Sequence, residues 1–197
     1  MRTLVCFGDS NTWGYIPGSN GRRFPREIRW PVRLQQALGE EEWDVIAEGL
    51  NGRTATMDSP VGEGRNGLPY LVPCLHSHAP IDLLVIFLGT NDVGDRFALS
   101  ERDVARSVAR LVKIARSAEA GPDGAAPEIL VVCPPPFDGH RLGPQFAEVC
   151  AQLECELLDL DGVASYVELG DDIEHLDEAG HAAVAAAVEQ RVRQLSP

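Results

Sequence analysis

Five short apolar runs, separated by longer stretches of helical periodicity, constrain the fold of this chain more than any other feature. The runs cover residues 3–7, 45–47, 83–88, 129–133 and, more weakly, 157–160. None of them alternates apolar and polar residues, which is typical of strands that are covered on both faces. Strands that alternate with helices along the chain predict a parallel sheet with helices on both faces, which is an α/β fold.

Four helices are predicted between and after these strands, over residues 30–38, 70–78, 101–119 and about 178–195. Gly39 is placed to end the first helix as a C-cap. Ser100 and Asp103 match a capping box ahead of the third helix, and Asp177 is expected to cap the last one. The third helix has one apolar face, as a helix that packs on a core should. This face consists of Val104, Val108, Leu111, Ala115 and Ala118.

Length and composition indicate a single globular domain over residues 1–197. The chain has 197 residues, of which 44% are apolar and 24% charged, and this usage excludes a disordered tail, a fibrous repeat and a disulfide scaffold. No apolar run is long enough to span a bilayer, and no secretion signal is expected ahead of Asp9. The net charge of −13 argues against a nucleic-acid partner, because nucleic-acid binding needs a basic surface.

The cysteines and most of the histidines are expected to have structural roles. The cysteines are scattered and none forms a C-x-x-C pair, so we expect reduced and mostly buried thiols in a cytoplasmic protein. They are Cys6, Cys74, Cys133, Cys150 and Cys155. His76 and His78 are two positions apart on a predicted helix, point to different faces and cannot hold one metal ion together. His181 is expected to be an ordinary helix-face residue.

Polar residues follow the predicted strands at the points where the strands end. Ser10 follows the first strand, Gly52 follows the second and Asn91 follows the third. Asp172 and His175 lie beyond the fifth strand, just ahead of the last helix. The carboxyl ends of parallel strands share one edge of the sheet, and binding residues gather there. The topology therefore predicts that these five residues lie close together.

The five residue types together match the requirements of acyl transfer. A serine hydroxyl such as that of Ser10 is a weak nucleophile and needs a base, a role that suits His175. A carboxylate must orient the base, and Asp172 is three positions away from it. The developing oxyanion needs fixed N–H donors, which the backbone of Gly52 and the amide of Asn91 can supply.

Each motif taken alone is also typical of simpler structure. Gly-Asp-Ser and Gly-Thr-Asn-Asp are turn sequences, and Asp171, Asp172 and Glu174 could form an acidic helix entry. Their order, and their common position after strands, favour the catalytic interpretation. Asp172 is the favoured partner of His175 because a spacing of three residues fits a tight turn ahead of the helix. A metal-dependent hydrolase with Asp9, Asp172 and His175 as ligands remains an alternative.

The chain resembles the SGNH (GDSL-type) hydrolase superfamily. Four blocks carry the resemblance, in order and over nearly the whole length: Gly8-Asp9-Ser10, Gly52, Gly89-x-Asn91-Asp92 and Asp172-x-x-His175. Further segments resemble the small arylesterase and acyltransferase branch. They are Phe7-Gly8-Asp9-Ser10-x-Thr12-Trp13-Gly14, Arg29-Trp30, Glu48-Gly49-Leu50-x-x-Arg53-Thr54, Asn66-Gly67 with Tyr70-Leu71, and Leu88-Gly89-Thr90-Asn91-Asp92.

The resemblance implies a single-domain, flavodoxin-like three-layer sandwich with a five-stranded parallel sheet, and no metal or organic cofactor. It implies a triad of Ser10, Asp172 and His175, and an oxyanion hole formed by the N–H groups of Ser10 and Gly52 with the side chain of Asn91. The sequence departs from the superfamily pattern at two places. An asparagine follows Ser10 where leucine is usual, and residues 137–157 are compact beside the loops that shape the substrate channel and oligomer contacts in that branch.

The resulting prediction is a serine esterase that hydrolyses small acyl esters (short-chain, aryl or acetyl) through an acyl-enzyme, with acyl transfer to alcohols left open. Alternatives within the superfamily are a carbohydrate deacetylase and a lysophospholipase or thioesterase. An alternative of another class is a non-catalytic ligand-binding protein on the same fold. Trp13, Tyr15 and Leu50 are predicted to form an apolar pocket wall. The arginine-rich residues 22–29 are either a solvated loop or a pocket rim or subunit contact, which leaves a homo-oligomer open.

Overall fold

A five-stranded, all-parallel sheet forms the centre of the molecule. The computed structural model describes residues 1–60, 62–93 and 97–195. The strands are β1 (Arg2–Gly8), β2 (Trp43–Gly49), β3 (Leu83–Phe87), β4 (Glu128–Cys133) and β5 (Glu156–Asp159). Their spatial order is β2-β1-β3-β4-β5, and every pairing is parallel. This is the flavodoxin-like order, so the predicted fold class is confirmed.

Helices cover both faces of this sheet. They are α1 (Ser10–Trp13), α2 (Trp30–Leu38), α3 (Gly67–His78), α4 (Glu101–Ser117), α5 (Gly143–Leu153) and α6 (Glu178–Leu195). The helices α3, α4 and α5 pack on one face, and α2 and α6 pack on the other. The short helix α1 continues directly from β1. None of the helices in the described part of the chain is long and apolar enough to cross a membrane.

The two-sided burial explains why the strands lack polar alternation. Along β1, Val5 and Phe7 face α3 and its neighbours, whereas Leu4 and Cys6 face α2 and α6, and all four are fully buried. Burying a large aliphatic or aromatic side chain stabilises a fold by about 1.5–3 kcal/mol. A polar residue on either face of β1 would lose that contribution, so the run is continuously apolar.

The three predicted helix caps are confirmed. Gly39 ends α2 with a φ of +88°. Ser100 and Asp103 form a complete capping box at the start of α4, which satisfies backbone N–H groups that have no partner within the helix. The side chain of Asp177 accepts the N–H of Gly180 at 2.7 Å at the start of α6.

Several features differ from the sequence interpretation. The short helix α1 was not predicted, and β2 and α3 are longer than predicted. The helix α5 lies within residues 137–157, where no helix was predicted. Its signals were the proline at its second position and the spacing of Phe146, Cys150 and Leu153, which puts apolar side chains on one face. His181 is not a simple helix-face residue, because it is fully buried between α6 and the start of α2. The strand β5 begins and ends one residue earlier than predicted.

Parallel pairing places the carboxyl ends of β1, β2 and β3 at one edge of the sheet. The loops that follow these strands carry Ser10, Gly52 and Asn91. The chain returns to the same edge between β5 and α6, where residues 160–177 lie outside regular helix or strand. His175 is in this segment, and its distance to Ser10 is set by how the segment packs there.

Candidate active site

Ser10 is the first residue of α1, just after the end of strand β1. Asp9 precedes it as N-cap and accepts the N–H of Asn11 at 2.9 Å. The turn is tight, because a Cβ atom on Gly8 would lie 2.1 Å from Oγ1 of Thr12. Glycine at position 8 therefore lets the chain pass directly from strand β1 into helix α1.

His175 and Asp172 lie in line with the Ser10 hydroxyl. Nε2 of His175 is 2.9 Å from Oγ of Ser10, and Nδ1 is 2.7 Å from Oδ1 of Asp172. An ionised carboxylate can only accept, so Nδ1 carries the proton and donates it to Asp172. Nε2 is then left as the acceptor for the Ser10 hydroxyl. The structure thus brings together three residues whose positions in the sequence span more than 160 residues.

Asp172 is held in its ionised form. Burial by itself would raise the pKa of Asp172, but the N–H of Gly18 and the imidazole of His175 bind the carboxylate, and the net pKa lies below its ordinary value. Oδ2 accepts the Gly18 N–H at 2.8 Å, while Oδ1 accepts the hydrogen bond from Nδ1 of His175. Asp171, by contrast, is exposed to solvent. The carboxylate that faces the imidazole is the one predicted.

The loop over residues 15–24 contacts both His175 and Asp172. The Tyr15 ring stacks on the His175 imidazole with centroids 4.2 Å apart, and the loop supplies the Gly18 N–H. Arg23 donates to the carbonyl of Trp13 at 2.6 Å and its guanidinium lies over the Trp13 ring. Within the arginine-rich stretch, Arg23 thus packs on Trp13, and a role of the stretch as a pocket rim or subunit contact stays a prediction. The contact of Gly18 had no signal in the sequence.

Asn91 connects the loops that carry the other two predicted oxyanion donors, Ser10 and Gly52. Its Nδ2 donates to the carbonyl of Arg53, the residue after Gly52, at 3.2 Å, and makes a longer 3.4 Å contact to Oδ2 of Asp9, the residue before Ser10. Gly52 has a φ of +70°, and a Cβ atom there would lie 2.1 Å from Nη1 of Arg65. The positive φ favours glycine at position 52, whereas the Arg65 guanidinium is a flexible side-chain end that could move away from a Cβ atom.

Two buried carboxyl groups lie under this region. Burial raises the pKa of Asp9 to about 7, although the N–H of Asn11 opposes the shift. Burial also raises the pKa of Asp92 to about 7, although hydrogen bonds from backbone groups, among them the N–H of Ala55, oppose the shift. Both carboxyl groups are fully buried and accept backbone N–H groups, so they hold the local backbone rather than face solvent.

The residues predicted to form an apolar pocket wall lie in different places. Tyr15 lines a cavity of about 370 Å³ together with Asp172 and His175. Leu50 lines a second cavity of about 620 Å³, whose other lining residues include Arg53 and Tyr70. Trp13 lies half-buried under Arg23. A role for the three in substrate binding stays a prediction.

The alternative metal-ligand set is not assembled. Within the described residues, three potential ligand atoms come within 4.8 Å of one another at Glu48, Cys74 and His78, and not at Asp9, Asp172 and His175. His78 pairs with Glu48 at 2.8 Å, and the cationic Arg53 is close enough to lower the pKa of the Cys74 thiol against the larger opposing effect of burial. An adjacent guanidinium disfavours a divalent cation there.

Comparison with known proteins adds the family. The chain matches the model of the GDSL-like lipase/acylhydrolase family over residues 6–183. The solved structure of an aryl esterase from M. smegmatis is 33% identical, with a TM-score of 0.91, and the alignment covers 99% of this chain and 100% of that one. A carbohydrate acetylesterase family member from Sinorhizobium meliloti is 36% identical, with a TM-score of 0.89 and 99% of each chain covered. No curated protein sequence matches the chain.

Proposed function

The chain belongs to the GDSL-like lipase/acylhydrolase family, and from this premise we propose that it is a serine esterase that cleaves small acyl esters at Ser10. Its solved relatives are esterases, and the chain is a carboxylic ester hydrolase. The observation that carries the assignment of Ser10 is the continuous relay from Asp172 through His175 to the serine hydroxyl, with steps of 2.7 and 2.9 Å.

In the acylation step, Oγ of Ser10 attacks the ester carbonyl while its proton moves to Nε2 of His175. Asp172 stabilises the imidazolium through the Nδ1 proton. The carbonyl oxygen becomes negative and faces the N–H donors of Ser10 and Gly52 and the amide of Asn91. The tetrahedral intermediate then collapses, the alkoxy group leaves with the proton from His175, and an acyl-Ser10 ester remains.

In the deacylation step, water takes the place of the departed alcohol. His175 removes a proton from the water as its oxygen attacks the acyl carbon, and the same donors bind the second oxyanion. Collapse of this intermediate returns the proton to Oγ of Ser10 and releases the carboxylic acid. A second alcohol can replace water in this step, which would give acyl transfer instead of hydrolysis.

The proposed substrates are aryl and acetyl esters of short acyl chains. Relatives similar to this chain over nearly their whole length are described as an aryl esterase and as carbohydrate acetylesterases. The cavity beside His175 is about 370 Å³. A cavity of that size suits a small acyl or alcohol group better than a long lipid chain.

The assignment is tested with p-nitrophenyl esters of rising acyl length, with and without a chelator, and with a serine-directed phosphonate. We expect the acetate to be turned over fastest, no effect of the chelator, and one covalent label on Ser10. The control is Ser10→Ala, which should lose on the order of 10⁶ in kcat and accept no label. A label on another residue would refute the nucleophile, and activity that depends on a divalent ion would support the metal-dependent alternative.

A carbohydrate deacetylase is the second candidate, and the larger cavity favours it. That cavity of about 620 Å³ is lined by polar side chains that can bind hydroxyl groups, among them Glu48, Arg53, Asp58 and Asn66. Acetylated monosaccharides and phenyl acetate should be compared by kcat/KM. If wild type clearly prefers the sugar esters and Asp58→Ala does not, the result would favour this candidate over a simple arylesterase.

A further inference from the structure

We propose that Asn11 is a positioning residue that holds His175 against Ser10 through its side-chain amide. The proposal rests on the proposed function, in which Ser10 and His175 react. Asn11 is 1% exposed. Its Nδ2 donates to the carbonyl of Glu174 at 3.0 Å, and its Oδ1 accepts the N–H of Leu176 at 2.9 Å. These two groups belong to the peptide bonds on either side of His175, so one amide binds the backbone of the base on both sides.

The segment that carries His175 needs such a contact. Residues 160–177 form neither helix nor strand, and the backbone bond from Val167 N–H to the carbonyl of His175, at 3.0 Å, stays within this segment. Asn11 lies outside the segment, directly after Ser10 in α1. Because the two residues are adjacent on one short helix, a bond from Asn11 to the His175 backbone fixes the base relative to the nucleophile.

A second contact extends the same arrangement toward the oxyanion donors. Nδ2 of Asn11 also lies 3.4 Å from the hydroxyl of Tyr166, and that hydroxyl is 2.9 Å from Oγ1 of Thr90, the residue before Asn91. Tyr166 is thus shared between the segment of the base and the loop after β3. The amide of Asn11 thus joins the segment of His175 directly, and the loop after β3 through Tyr166, to the turn of Ser10.

The chain contains a matched control at a site remote from the reaction. Gln35 of α2 donates to the carbonyl of Trp43 at 2.7 Å and accepts the N–H of Val45 at 2.7 Å. Its amide therefore binds the two peptide groups that flank one residue, as Asn11 does. The contact lies at the start of β2, at the opposite end of the strand from the candidate active site, so Gln35→Leu removes an equivalent contact without touching the relay.

The experiment compares Asn11→Leu, Asn11→Ala and Gln35→Leu with wild type for p-nitrophenyl acetate turnover and for the rate of phosphonate labelling. A shift of the base by about 1 Å can cost on the order of 10² in rate. We expect both Asn11 variants to lose about that factor in kcat and in labelling rate with little change in KM. Gln35→Leu should lower the unfolding midpoint and keep the wild-type kcat.

The outcomes separate the two proposals. Wild type that neither hydrolyses esters nor takes the label would refute the proposed function. Active wild type together with folded Asn11 variants that keep kcat, or that lose no more than Gln35→Leu, would refute the positioning role. If neither Asn11 variant folds, amide exchange in wild type decides: slow exchange of the Leu176 N–H is expected, and exchange at the rate of an exposed amide would refute the contact.

Discussion

The ring of Tyr15 lies face to face with the imidazole of His175, with centroids 4.2 Å apart and the planes inclined by 23°. The Tyr15 hydroxyl accepts the N–H of Gly21 at 3.1 Å, which anchors the ring in the loop that also binds Asp172. An aromatic face stabilises a cation more than a neutral group. In the proposed reaction His175 becomes a cation when it takes the proton of Ser10, so the stack favours the state that follows proton transfer.

Replacement of the Tyr15 ring should therefore slow the chemical step. A cation–π contact contributes about 0.5–2 kcal/mol, so Tyr15→Ala should lower kcat by about 2- to 30-fold. Tyr15→Phe keeps the ring and loses only the hydroxyl, and we expect it to stay near the wild-type kcat. Steady-state kinetics with p-nitrophenyl acetate measure both. Equal losses in the two variants would show that anchoring through the hydroxyl matters and that the ring face does not.

Asn91→Ala should lose on the order of 10²–10³ in kcat, the usual effect of removing one oxyanion donor. KM should change less, because the donor is aimed at charge that develops only in the transition state. In wild type the Asn91 amide donates to the carbonyl of Arg53 and lies near Asp9. Because its loss can also affect the fold, the variant must be checked by circular dichroism. A raised KM with an unchanged kcat would make Asn91 a substrate-binding residue instead.

His181 should make the fold sensitive to acid. It is fully buried, and its Nδ1 lies 3.3 Å from the N–H of Trp30, which it can accept only when that nitrogen is unprotonated. Burial, with a smaller effect of the Arg33 charge, lowers the pKa of His181 from 6.5 to about 4. Between these values His181 binds a proton in the unfolded chain and not in the folded chain, so its contribution to stability falls as pH falls through this window. The full effect is about 3 kcal/mol.

His181→Asn tests this, because its amide oxygen can accept the Trp30 N–H and cannot titrate. Urea unfolding of both proteins between pH 4 and 7.5 gives the two dependences of the unfolding free energy. The variant should show a shallower loss below pH 6.5, whatever its absolute stability. Parallel curves for the two proteins would contradict the assignment to His181.

Local patterns in the sequence sufficed for most of the fold, because strands, caps and amphipathic faces are encoded within a few residues. The bounds of α2 and the capping box at Ser100 are examples. The helix α5 was missed because its sequence follows three consecutive prolines and begins with Gly143 and Pro144, residues that also mark turns. Residues that mark turns make the helical apolar spacing of such a short segment ambiguous.

Part of the candidate site could likewise be predicted from the sequence, and part could not. Ser10, Gly52, Asn91, Asp172 and His175 could be grouped because each follows a strand of one parallel sheet. The stack of Tyr15 on His175, and the bonds of Asn11 to Glu174 and Leu176, join parts of the chain about 160 residues apart. Such contacts depend on how an irregular segment packs, and the periodicity and spacing of residues in the sequence do not predict that packing.

The identity of the acid that orients His175 can be tested by mutation. Three acids precede His175 within four positions. Asp171 is exposed, and the charge of Glu174 helps to raise the pKa of Asp9. Asp172 is 2.7 Å from Nδ1 and is held ionised by the Gly18 N–H.

We therefore expect Asp172→Asn to lower kcat strongly, by about 10⁴ if it follows a comparable triad, because an amide cannot stabilise the imidazolium and can favour the wrong tautomer. Asp171→Asn and Glu174→Gln remove the same charge from neighbouring positions and serve as matched controls, with mild effects on kcat. All three variants should take the phosphonate label on Ser10, with Asp172→Asn the slowest. The assignment fails if Asp171→Asn or Glu174→Gln loses more kcat than Asp172→Asn, since the acid that contacts Nδ1 in the structure would then not be the one that matters during turnover.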